Sequence, residues 1–131
     1  MTSYIKAYEQ LIHDQDVADA VERLDLCNHV TIRMHQLYLQ SHEVSSAVHH
    51  FKIHINMLRS CCTDDDEVLA WRRWHWLAAS HQLFAELLEG VAQQVPGIID
   101  QADMWQFPGF HYQSAAAHIS RLQQWAREAS S

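Results

Sequence analysis

Three glycines and two prolines are all that a chain of 131 residues contains, and four of the five fall in "VPG" (95–97) and "PG" (108–109). β sandwiches and barrels need turn residues every ten or so positions, whereas helices exclude both residues from their interiors. Long uninterrupted helices are therefore the only regular structure open to most of this chain. With 48% hydrophobic residues the composition is globular, and the length fits a single helical domain, residues 1–131, able to bury a core without disulfide or metal staples.

Apolar periodicity places the helices. Tyr4, Ile5, Tyr8, Leu11 and Ile12 mark a short helix over 3–13, which "HDQD" (13–16) interrupts. Asp16 then reads as the N-cap of a helix over 17–40, whose stripe is Val17, Ala20, Leu24, Cys27, Thr31, Met34 and Tyr38. "QSHE" (40–43) resets the pattern, and Val44, Val48, Phe51, Ile55 and Leu58 form the next stripe. "TDDDE" (63–67) is a capping sequence, with acids set against the positive end of a helix. The helix it opens carries Trp74, Leu77, His81, Phe84, Leu88 and Val91. "VPGII" (95–99) closes that helix, "IIDQADMW" reads as a short helical turn, and Pro108 falls in the first turn of a last helix with Ala115, Ile119, Leu122 and Ala126. The expected fold is all-α, an antiparallel four-helix bundle with a short extra N-terminal helix.

The formal charge of −7 comes from 9 Lys and Arg against 16 Asp and Glu. Nucleic acid, which needs clustered cations, is thereby disfavoured as a partner, and "WRRW" (71–74) holds the only Arg pair. No apolar run approaches the roughly 18 residues of a membrane span, and the N-terminus has no signal pattern. Three cysteines, two of them adjacent (Cys61, Cys62), make neither a disulfide framework nor a C-x-x-C ligand pair. A cytoplasmic protein is expected.

Eleven histidines are the compositional oddity. His50 and His54, four apart, share a helix face and could address one metal, with Glu43 seven residues before His50. His81 takes a core position between Leu77 and Phe84, where it reads either as a neutral imidazole bonded to a neighbouring helix or as an interior ligand joined by His54 and His118. A transition metal or a non-covalent haem is thus the alternative to a cofactor-free chain. The Glu-x-x-His pairs of di-iron bundles and the C-x-x-C-H of covalent haem do not occur.

His49 and Lys52, on the second long helix, give a His-x-x-Lys that resembles the motif of histidine phosphotransfer domains. The resemblance implies a four-helix bundle with His49 as phosphoryl acceptor. The continuation here is Ile53-His54, where that family has glycine and small residues. No nucleophile elbow, phosphate loop or dinucleotide glycine pattern is present to name a reaction.

"WRRWHW" (71–76) spans more than one helical turn, so its three tryptophans cannot all face one core. Trp71 and Trp76, with Trp105, Phe107 and Phe110 in the long connection, are the expected contact residues, since exposed aromatic and Arg side chains anchor protein interfaces. The expectation is a non-catalytic helical protein that binds a partner protein or itself.

Overall fold

The computed structural model describes residues 15–60, 67–99 and 103–129, and these are almost wholly helical, with no strand among them. The helices are α1 (Gln15–Gln40), α2 (Val44–Ser60), α3 (Glu67–Gln94) and α4 (Pro108–Ala129), with a 3-10 turn at Met104–Gln106. The short helix read over 3–13 and the cap at 63–66 lie outside the described residues. Helix α1 begins at Gln15, so Asp16 lies inside the helix rather than at its cap.

Each described break has a local cause. Helix α1 stops where His42 adopts φ 60°, a left-handed conformation more usual for glycine. His42 N–H then donates to Leu39 O (3.0 Å) and Glu43 N–H to Tyr38 O (2.9 Å), the paired bonds of a Schellman stop. Helix α3 ends in the turn Val95–Ile98, with Pro96 at its second position and Gly97, φ 86°, at its third. Ile98 N–H closes that turn on Val95 O at 3.2 Å. Asp103 opens the 3-10 turn by accepting from Trp105 N–H at 2.9 Å, and Pro108 supplies the first residue of α4.

Helix α3 is the hub. It packs against α4 most extensively, then against α1 and α2, and α1 also packs against α2. Its buried residues accordingly surround much of its circumference, from Val68, Trp71 and Trp76 through Leu77, His81 and Phe84 to Leu88 and Val91. The main apolar cluster joins Leu39, Val44, Val48, Phe51 and Ile55 to Leu77, Phe84 and Leu88 of α3. A second cluster gathers Val21, Val68, Trp71, Leu122 and Ala126.

Three stripes lie where the sequence puts them. Phe51, Ile55 and Leu58 on α2, Leu77, Phe84 and Leu88 on α3, and Ala115, Leu122 and Ala126 on α4 are all buried. Helix α1 is the exception. Its inward side is Val21, Asn28, His35 and Leu39, while Cys27 and Met34 of the expected stripe are exposed. The helix is turned from the phase its apolar spacing suggests by less than one residue step, since Leu24 and Tyr38 of that stripe still pack, partly buried, against the main cluster.

Candidate functional site

Two features of the fold carry chemistry beyond core packing: a seam of buried imidazoles and an exposed apolar face. The seam is built around Phe51 of α2 and Phe84 of α3, whose rings stack at 4.1 Å. His35 of α1 sets its edge toward both rings, at 5.5 and 5.9 Å, and toward His54 of α2 at 5.6 Å. On the other side of Phe51 lie His81 of α3 and His111 of α4, each 5.1 Å away. All four described helices thus contribute a ring to one continuous layer.

Hydrogen bonds fix the tautomers at its deepest point. His111 Nε2 is 2.6 Å from Trp105 O, so that nitrogen must carry the proton and donate to the carbonyl. Its Nδ1 is then an acceptor, and the 2.9 Å contact with His81 Nδ1 requires His81 to donate. The contact therefore requires a neutral His111 and a proton on His81 Nδ1. His54 Nε2 meets Ser80 Oγ at 3.4 Å.

Burial holds the seam neutral. Desolvation lowers His81 from 6.5 to about 3, assisted by His111 and His118 nearby, and lowers His35 and His54 to about 4. His111 is also lowered by burial, against the opposing pull of the Trp105 carbonyl and the Asp103 charge. His118 is lowered by burial and then by the charges of Arg59 and Arg121.

Of the residues expected as metal ligands, His81 and His118 do come together, stacked at 5.9 Å. His54 lies across the Phe51 layer against Ser80, and His50 points to Tyr38, whose hydroxyl is 3.1 Å from its Nε2. Among the described residues, no group of three or more His, Cys, Asp or Glu side chains is placed to hold a metal ion. His49 is exposed, but Lys52 turns away from it to an ion pair with Asp103 at 3.1 Å and lies over the Trp105 ring.

The aromatic residues expected at a contact surface are placed differently from that expectation. Trp71 is 1% exposed, edge-on to Trp125 at 4.9 Å. Trp76 is also buried, donating from Nε1 to Asp25 Oδ1 at 2.5 Å. Asp25 accepts Arg72 as well, at 2.6 Å from Nε and 2.5 Å from Nη2. Because α3 has neighbours on three sides, tryptophans pointing in different directions each find an interior. Trp105, Phe107 and Phe110 are half-buried, with Trp105 packed on Phe110 and Phe51.

The exposed face was not read from the sequence. Among the described residues, seven large hydrophobic side chains stand out in solvent, and six of them belong to two helices: Leu26, Val30, Met34 and Leu37 on α1, and Ile53 and Met57 on α2. The α1 residues follow steps of four, four and three, one helical stripe. Concavities of about 240 and 250 Å³ mark this side. The first lies between α1 and α2, where Cys27 and Thr31 face Met57, and the second lies beside Met34, Leu37 and Tyr38. Meanwhile α1 turns inward Asn28, whose Oδ1 and Nδ2 have no hydrogen-bond partner, and His35, whose Nε2 has none. The signal available beforehand was this further line of apolar side chains on α1.

His111 and His35 were also missed. His111 lies four residues before Ala115, so extending the α4 stripe by one step reaches it. His35 had no such signal, because it depends on the phase of α1.

Fold and site together define an all-helical protein with a neutral imidazole–aromatic interior and an apolar outer face on its first two described helices. No helix among the described residues is long and apolar enough to cross a membrane. The chain belongs to the Foie gras liver health family 1, whose family model matches residues 19–131 and so takes in most of α1 and all of α2, α3 and α4. No curated protein and no solved structure matches the chain.

Proposed function

We propose that this is a non-catalytic, cytoplasmic protein that works by protein–protein contact through the outer face of α1 and α2. The observation that carries the reading is the inversion of α1. Four large apolar side chains face solvent while Asn28 and His35 are buried with unpartnered polar atoms. Leaving an apolar stripe of this size wet forgoes stabilisation, so α1 is better satisfied with its outer face covered. The histidine pair at the centre of the seam speaks against catalysis, since His81 and His111 face each other and are nearly inaccessible.

The scaffold of this reading is an antiparallel four-helix bundle in a single domain. The order of contacts supports it. From Phe51–Phe84 through His54–Ser80 to Arg59–Arg73, the residue numbers on α2 and α3 run oppositely. Trp71–Trp125, Trp74–His118 and His81–His111 do the same for α3 and α4.

The test is a Leu26→Asp/Met34→Asp double variant compared with the unmodified protein by cross-linking in cell extract. Far-UV circular dichroism should be unchanged, because both side chains are already exposed, and protein cross-links from α1 and α2 should be lost. An identical cross-link pattern in both proteins would refute the proposal.

A further inference from the structure

Resting on the reading of α1 and α2 as a contact face, we infer that its occupant is a second copy of this chain, docked about a two-fold axis that crosses α1 near residue 32. Three observations lead there.

The first is the spacing of the stripe. Val30 and Met34 lie two residues to either side of position 32, and Leu26 and Leu37 five to six residues to either side. If α1 packs antiparallel on α1 of a second copy, Val30 meets Met34 of that copy and Leu26 meets its Leu37. A two-fold interface requires this self-complementarity, in which residue i meets j and j meets i. A parallel arrangement would need no such symmetry.

Charge is the second. The chain has 16 acidic residues, yet Glu43 is the only one between positions 26 and 60. Over residues 26–42 the sole Asp, Glu, Lys or Arg is Arg33, which bonds Gln36 at 3.3 Å. Two chains of formal charge −7 therefore meet on this face without opposing carboxylates, and the acids stay at the periphery.

Area is the third. The six exposed apolar side chains, from 44% to 65% exposed, present on the order of 600 Å². That is the upper end of what a monomer shows. With a polar rim it approaches the roughly 800 Å² per partner that a stable complex buries. Ile53 and Met57 sit on the α2 flank of the stripe and extend it, so the pairing places α2 beside α2 of the second copy.

The experiment uses the full chain and two charge variants, Val30→Glu and Met34→Lys, measured by sedimentation equilibrium over a concentration series. The wild type should be a dimer. Each variant alone should dissociate at least about a hundredfold more readily, with unchanged circular dichroism, because a charge is buried against an apolar side chain. An equimolar mixture should form a heterodimer, since the new carboxylate at position 30 meets the new ammonium at position 34 of the other chain. A monomeric wild type would overturn the second copy as occupant, and cross-links lost only in Leu26→Asp/Met34→Asp would then show that a different protein covers the face. A dimer that persists in both variants overturns α1 as its interface. A mixture that stays monomeric overturns the antiparallel register.

Discussion

Acidification should unfold this protein through its own core. His35, His54 and His81 have folded values of about 4, 4 and 3, against 6.5 in an unfolded chain. Between those limits the unfolded state binds more protons, so stability falls as pH falls, beginning near pH 6.5 and levelling off near pH 4 to 3. From pH 7 to pH 5 each imidazole contributes about 2 kcal/mol of destabilisation, and the three together on the order of 5 kcal/mol if they titrate independently. A domain of this size is held by only about 5–15 kcal/mol, so a large share of its stability goes. His111, His118 and His75, also lowered chiefly by burial, push the same way. Protonating His111 at Nδ1 also places two N–H groups face to face across 2.9 Å. Urea unfolding followed by circular dichroism at pH 7, 6 and 5 measures the slope directly. His54→Gln, which keeps a polar group near Ser80, should reduce that slope by about one proton's worth, roughly 1.4 kcal/mol per pH unit. A stability that stays flat from pH 7 to pH 5, or a slope untouched in His54→Gln, would mean the seam is wet, and the burial argument fails.

Further expectations concern single side chains. Asp25→Ala removes the carboxylate that both Arg72 and Trp76 address and should cost about 2–3 kcal/mol in urea unfolding, part of it recovered in a double variant with Arg72→Met. Trp71→Ala should cost about 3–5 kcal/mol, because its ring fills the cluster of Val21, Leu122 and Ala126, while leaving the oligomeric state of the folded fraction unchanged. His42→Gly should raise the thermal midpoint, with a gain of about 0.5–1 kcal/mol, since φ 60° is strained for any side chain.

What the sequence determined by itself was local. Scarce glycine and proline dictated helices, and the turn chemistry of Val95-Pro96-Gly97 and Pro108 dictated where α3 ends and α4 begins, because a missing N–H or a positive φ acts within a few bonds. The core faces of α2 and α4 were legible for a related reason: each carries one dominant apolar stripe, so burial has one solution, and on α3 the line Leu77, Phe84 and Leu88 was legible as one of several buried sides. Even the neutral, helix-bonded reading of His81 could be stated in advance, because a lone histidine in an apolar stripe must find a partner. Tertiary structure alone decided the rest. Helix α1 carries apolar side chains on more than one side, and only the neighbouring surfaces of α2 and α3 choose which side turns inward. That choice buries His35 and exposes Leu26, Val30, Met34 and Leu37. The same holds for Trp71 and Trp76: a helix touched on three sides has interiors in several directions, and sequence periodicity, which describes one helix at a time, carries no record of how many neighbours that helix will have.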